Sequence, residues 1–240
     1  MAHAARQKIC LVGGSAGSHV LAASLDRSRF QVSLLTRRPT AYTGEVVCRW
    51  GLGGKESRGK LHRVSNQPDE VVADADVVLL SMPVGSSAAT LQTIAPHIHP
   101  GCVVGTLCGQ GGFNFWARQY LPAGTRCFGL MYFPYVARVA EGGYGRAVRA
   151  STGRVFGGHF AVACDDDGGG EEISLLLEKL VGPRGEKCRR ASWLEVLIAP
   201  SNQARRCAGL DFMCVGLGRT EGAPIRPRIP IHNKNDRGNW

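Results

Sequence analysis

No stretch of the chain approaches the eighteen or so consecutive apolar residues of a membrane span. Met-Ala-His-Ala-Ala-Arg at the N-terminus holds no hydrophobic segment long enough for a signal peptide. Cys-x-x-Cys pairs are missing too, and nine cysteines, an odd number, do not compose a disulfide framework. Cys10 and Cys102 fall inside apolar strand-like runs, where a thiol acts as a small hydrophobe. These absences predict a soluble, cytoplasmic protein in a reducing compartment, with no membrane partner.

Aromatic residues are few, 7% of the chain, and do not interleave with basic ones as in a single-strand-binding groove. The formal charge of +10 rests largely on scattered arginines, several in the last forty residues, so no nucleic-acid partner is expected. P-loop and His-Glu-x-x-His motifs are absent, as is any internal repeat. His97 and His99 lie in a Pro-flanked loop without further ligands, and the acidic run at 165–172 reads as a solvated loop tip, so no metal site is expected. His159 falls in a strand-like segment and His232 in the tail. No catalytic residue is assigned.

What is present is an alternation of strands and helices. At 240 residues and 44% hydrophobic, the chain can build one large domain, or one domain and a fragment of another. Lys8–Val12 is a short apolar run stopping at Gly13-Gly14, the pattern of a buried parallel strand. A helix follows over Gly17–Asp26, with Leu21 and Leu25 one turn apart beside Val20 and Ala23, and Phe30–Thr36 reads as the next strand. This is a βαβ unit, expected to cross over right-handed. Residues 40–68 are polar and glycine-rich, with short strands near Val46-Val47 and Leu61–Val64. Ala75–Met82, closed by Pro83, is the strongest strand. After it come a helix from about Ser86 to Ile94, a strand at Cys102–Leu107, a helix at Phe113–Tyr120 and a strand at Thr125–Tyr132. Two strand-like runs around a turn occupy 145–164, an amphipathic helix Ile173–Gly182, and Ser192–Ala199 begins another. The alternation predicts an α/β fold, a Rossmann-type doubly wound and mostly parallel sheet over residues 1–200. From 201 to 240, apolar scraps and Pro224, Pro227 and Pro230 predict an irregular tail.

The chemistry lies in the first turn. Glycines let a backbone take positive φ and approach a diphosphate, while the following helix aims free N–H groups and a positive dipole end at its charge. Here the turn is Gly13, Gly14, Ser15, Ala16, Gly17 and Ser18, followed by His19. Against Gly-x-Gly-x-x-Gly, Gly13 fits the first position, whereas Ser15 and Ser18 replace the other two glycines; a serine hydroxyl could itself donate to a phosphate. The alternative is a tight strand-to-helix turn with no ligand. His19 is expected to orient the turn rather than to move protons.

The end of the second strand offers Thr36, Arg37 and Arg38 and no acid. An acidic residue there would take the ribose hydroxyls of NAD, whereas guanidiniums accommodate a 2′-phosphate, so NADP is favoured over NAD. The alternative is two solvated arginines at a strand end. Met82, Pro83 and Val84, after Ser81, close the strongest strand at the carboxyl edge, where the nicotinamide half of a dinucleotide would run.

Several segments, in order and spacing, resemble the N-terminal domain of the octopine and opine dehydrogenases: CLVGGSAGSHVLAASL, VSLLTRRP, ADADVVLLSMPVGSSAATLQTIAPHI, GTLCGQGGFNF and, near that family's domain junction, LEVLIAPSNQ. The resemblance covers roughly residues 8–203. It implies an NAD(P)H-dependent reductive condensation of an amino acid with a 2-oxo acid such as pyruvate. It also implies an acid/base histidine shortly after the Ser-Asn-Gln segment, helped by an aspartate in a helical C-terminal domain. In this sequence Ser201-Asn202-Gln203 is followed by Ala204-Arg205-Arg206-Cys207, with no histidine before His232. The expected tail therefore takes the place of the helical domain. Either a shifted reading frame, alternative exon or misjoined gene begins near residue 203, or a cofactor-binding remnant survives.

The reading that results is an opine dehydrogenase-type oxidoreductase represented by its cofactor domain and impaired in turnover. Its partners are a dinucleotide and, if the second domain is supplied, an amino acid and a 2-oxo acid. The rivals are a non-catalytic dinucleotide-binding or sensing module, and half of an enzyme of the ketopantoate reductase or glycerol-3-phosphate dehydrogenase type.

Overall fold

The structure is a computed structural model describing residues 6–198, apart from residues 43, 52–54, 132–134, 153–158, 165–169 and 182–186. The expected tail at 201–240, His232 and most of the acidic run lie outside the described residues.

The described strands are β1 (Gln7–Val12), β2 (Phe30–Leu35), β3 (Glu45–Trp50), β4 (Glu56–Lys60), β5 (Val64–Ser65), β6 (Val77–Leu80), β7 (Val103–Thr106), β8 (Arg126–Leu130), β9 (Tyr135–Val139), β10 (Ala147–Thr152), β11 (His159–Cys164) and β12 (Lys187–Arg190). The helices are α1 (Ala16–Ser24), α2 (Ser87–Ile94), α3 (Phe113–Tyr120), α4 (Gly170–Val181) and α5 (Trp193–Ile198). The main sheet runs β12-β11-β8-β7-β6-β1-β2-β5. Its stretch from β8 to β5 is parallel throughout and follows the strand order of dinucleotide-binding folds, reversing direction between β1 and β6. At the far edge β11 pairs antiparallel to β8, with β12 parallel to β11.

Strand periodicity explains the layers. Ile9 and Leu11 of β1 join Val77 and Leu79 of β6 in one core with α1 and α4. The alternate residues Cys10, Val12, Val78 and Leu80 join Leu91, Ile94, Phe113 and Ala117 of α2 and α3 on the other face. Burial on both faces is why Val77–Leu80 is an unbroken apolar run. Burial pushes the Cys10 thiol up to about 12, in keeping with a packing role.

Three sequence expectations are corrected. First, the strand expected near Val46-Val47 is β3, but it lies outside the main sheet, paired antiparallel with β4 in a separate sheet ordered β4-β3-β10-β9. Second, the runs within 145–164 do not share a sheet: β10 joins the small one and β11 the main one. Third, α1 lacks the single apolar face expected of it, because the small sheet covers the side that the main sheet leaves open. Gly17 to Ala23 are all buried, with Val20 and Leu21 at 0% exposure. Each such aliphatic side chain contributes about 1.5–3 kcal/mol. Gly59 of β4 makes the approach possible, since a Cβ there would stand 1.7 Å from the carbonyl oxygen of Ala22.

At the C-terminal end, Ser192 and Glu195 form a reciprocal capping box. The Ser192 hydroxyl accepts the Glu195 N–H at 3.2 Å, and the Glu195 carboxylate accepts the Ser192 N–H at 2.7 Å, starting α5 where the sequence places a helix. Among the described residues no helix is long and apolar enough to cross a membrane.

Candidate functional site

β1 ends at Val12, between the ends of β2 and β6 where the strand order reverses, and the chain turns there into α1. Gly13 has φ +101°, and a Cβ on it would stand 2.7 Å from the carbonyl oxygen of Ser81. Backbone conformation and space both demand glycine. Its N–H donates to the Leu35 carbonyl at 2.9 Å, tying the turn to β2.

The two serines in fingerprint positions turn inward. Ser15 caps α1: its Oγ accepts the Ser18 N–H at 3.4 Å and shares a 2.5 Å hydrogen bond with the Ser81 hydroxyl. The buried Ser18 hydroxyl donates to the Gly13 carbonyl. The expectation that a serine hydroxyl here could donate to a phosphate is corrected for Ser18, which is committed to the turn itself.

What the turn offers a ligand is backbone. The N–H groups of Gly14, Ser15, Ala16 and Gly17 donate to no acceptor among the described residues. The first turn of α1 carries no acidic side chain to neutralise its dipole.

His19 is fully buried behind this turn. Its Nδ1 lies 2.7 Å from the Ser15 carbonyl, which can only accept, and its Nε2 accepts the Gly145 N–H at 2.8 Å. The ring is therefore neutral with its proton on Nδ1, and burial lowers its pKa. The two hydrogen bonds fasten the ring between the Ser15 carbonyl and the Gly145 N–H.

Two tyrosines close over the same point. A Cβ on Gly14 would stand 2.0 Å from the Tyr144 hydroxyl and 3.1 Å from that of Tyr42. The three rings pack together, His19 5.3 Å from Tyr42 and 5.4 Å from Tyr144. Burial, then the neighbouring Tyr144, push the Tyr42 phenol far above its ordinary value.

At the end of β2, Thr36 is buried and its Oγ1 accepts the Arg38 N–H at 3.4 Å. Arg37 and Arg38 are exposed, and among the described residues neither is ion-paired to a carboxylate. The Arg38 guanidinium lies 5.9 Å from the centroid of the Tyr144 ring. At the end of β6, Met82 packs over Gly13, and its sulfur accepts the Thr90 hydroxyl at 3.2 Å. Pro83 is exposed and leads into a 3₁₀ turn at Val84–Ser86. Val84 rests on Gly111 (φ +72°), whose Cβ would stand 2.1 Å from the valine Cγ1. Next to it, Gln110 is buried and its amide donates to the Met131 carbonyl at 2.9 Å.

The candidate cofactor-binding residues read from the sequence thus gather at the carboxyl edge of one sheet. Tyr42, Tyr144 and Gly145 were missed. The one available signal was a lone aromatic inside Gly142-Gly143-Tyr144-Gly145, and nothing local says what it packs against.

No family model matches the chain. In sequence it is 28% identical over 163 residues to octopine dehydrogenase of Pecten maximus, an alignment covering 59% of this chain and 39% of the relative. With opine dehydrogenase of Haliotis discus hannai it shares 27% over 157 residues, 56% of this chain and 38% of the relative. The chain thus spans about two fifths of the length of the curated relatives it matches. In structure it superposes on octopine dehydrogenase in complex with NADH and L-arginine with a TM-score of 0.69 at 23% identity, covering 85% of this chain and 52% of the other. A ketopantoate reductase from Ralstonia eutropha gives 0.56 at 19% identity, over 77% of this chain and 56% of the other. The chain is a homologue of the octopine and opine dehydrogenases over more than half its length, and its described part has the Rossmann-type fold of their solved structures.

Proposed function

We propose that this chain is the NADP(H)-binding half of an oxidoreductase of the opine dehydrogenase type. The observation that carries this is the row of N–H groups from Gly14 to Gly17 with no acceptor among the described residues, at the start of a helix with no acidic first turn and at the point where strand order reverses. Such a site fits the charges of a dinucleotide's diphosphate.

In this reading Gly13, Gly14, Ser15, Ala16 and Gly17 present the backbone to the diphosphate, and Ser18 and His19 hold that backbone in place. Thr36, Arg37 and Arg38 receive the adenosine ribose, and Met82, Pro83 and Val84 border the nicotinamide. When bound, the cofactor supplies the hydride that reduces a C=N bond formed, with loss of water, between an amino acid's amine and a 2-oxo acid. Two exposed guanidiniums without carboxylate partners among the described residues favour a 2′-phosphate, hence NADP over the NADH of the related octopine dehydrogenase structure. The proton required at nitrogen has no donor at the place the resemblance implies, since Ala204-Arg205-Arg206-Cys207 follows Ser201-Asn202-Gln203. We therefore expect binding with little turnover by this chain alone.

The test is the thermal midpoint of the full chain with NADPH and with NADH. At millimolar ligand, a site of sub-micromolar affinity stabilises by about 4 kcal/mol. A larger shift with NADPH supports the reading, equal shifts remove the NADP preference, and no shift with either overturns dinucleotide binding. Rapid reduction of pyruvate plus an amino acid by this chain would defeat the claim of impaired turnover.

A further inference from the structure

Arg38 is a long, exposed side chain, and no carboxylate among the described residues holds it. The Tyr144 ring lies beneath its guanidinium at 5.9 Å, within cation–π range. Tyr144 is itself firmly placed. Its ring meets those of His19 (5.4 Å) and Tyr42 (5.7 Å) edge-on, and its hydroxyl rests on Gly14. The next residue, Gly145, donates its N–H to His19 and packs so closely on the Ala41 carbonyl that a Cβ would stand 2.1 Å from it. The β9–β10 turn is thus fastened both to the glycine turn and to the loop carrying the arginines.

The mode of holding matters chemically. A carboxylate partner would occupy the in-plane N–H donors of the guanidinium, and those are the donors a phosphate needs for a bidentate contact. A cation–π contact with a ring engages the positive charge without an oxygen acceptor on those N–H donors, so they remain available to a phosphate. It also limits the rotamer freedom that a long solvated side chain loses on binding an anion.

We propose that Tyr144 is a positioning residue for cofactor selectivity: its ring holds Arg38 ready for the 2′-phosphate of NADP, while its hydroxyl packs on Gly14. This rests on the NADP reading above and adds a residue that the fingerprint does not contain.

The test measures NADPH and NADH affinities of the full chain and of Tyr144 variants, read as the ratio of the two. Tyr144→Leu lowers the NADPH preference about threefold, the equivalent of one exposed cation–π contact. Tyr144→Phe keeps the ring and keeps the ratio, even where loss of the hydroxyl weakens both cofactors together. In the Leu background, Arg38→Gln costs less preference than in the unaltered chain. A Leu variant with the unaltered ratio, or a Phe variant that loses it, overturns the proposal. Should the Leu variant not fold, Tyr144→Met replaces it on the same criterion. Equal affinities in the unaltered chain defeat the NADP reading first, a result separable from failure of the variants.

Discussion

The Gly145 N–H donates to His19 Nε2 at 2.8 Å, although the two residues stand 126 positions apart. Since Nδ1 is committed to the Ser15 carbonyl, both ring nitrogens are used only in the neutral form. A second ring proton would face the Gly145 N–H, donor against donor. Burial lowers the folded-state pKa below the ordinary 6.5, so on acidification the unfolded chain takes up that proton first. The stability due to neutral His19 is therefore present above about pH 6.5 and lost as pH falls through the lowered folded value. Denaturant midpoints should decline as pH falls below about 6.5. A His19→Gln variant should start lower and decline less. Equal slopes would place the pH dependence on other groups.

Gly59→Ala should be among the most damaging single substitutions in the small sheet. The added Cβ would meet the backbone of Ala22 and Ala23, which cannot rotate away as a side chain would. The remaining escape is to lift β4 off α1. We expect a loss of about 3 kcal/mol in urea unfolding, with a larger loss for Gly59→Val. A neutral alanine variant would show that the two layers slide apart at little cost.

Why this sheet was hidden in the sequence follows from its residues. β3 buries Val46, Cys48 and Trp50, but Glu45 and Arg49 face outward, and β4 buries only Gly59. Cross-strand ion pairs, Arg49 with Glu56 at 2.9 Å and Arg58 with Glu45 at 3.0 Å, fill that outer face with charge. The parallel partner of β3 is β10, a hundred residues further on, a pairing no local pattern announces. By contrast β1, α1, β2 and β6 were legible because strands buried on two faces leave unbroken apolar runs. At the site, Gly13 and the arginines could be read from the strand ends. The inward turn of Ser18 and the arrival of Tyr144 over Gly14 are tertiary events.

The hydrogen bond between the Ser15 and Ser81 hydroxyls spans the switch point from α1 to β6. Ser15→Ala removes it together with the helix cap and should cost about 1 kcal/mol. Ser15→Gly restores the usual fingerprint residue and should cost only a few tenths as a cap, plus whatever the Ser81 bond is worth. A cycle with Ser81→Ala isolates that bond by equilibrium unfolding: additive losses would mean that the serines act independently.

Arg37 and Arg38 are exposed, so their pull on a 2′-phosphate acts partly through water and is open to screening. In the proposed binding mode the diphosphate would instead meet backbone N–H groups, which NADPH and NADH would use alike. Raising ionic strength from about 0.01 M to 1 M shortens the Debye length from about 30 Å to 3 Å. NADPH binding should therefore weaken more than NADH binding, and the preference should shrink with salt. Arg38→Gln should reduce the preference about tenfold, the value of one charge-assisted hydrogen bond. Replacing Arg37 as well should abolish both the preference and its salt dependence while leaving NADH affinity nearly unchanged. Titrations of both cofactors at the two salt concentrations separate these effects. A preference indifferent to salt and to both substitutions would make the arginines ordinary solvated residues at a strand end.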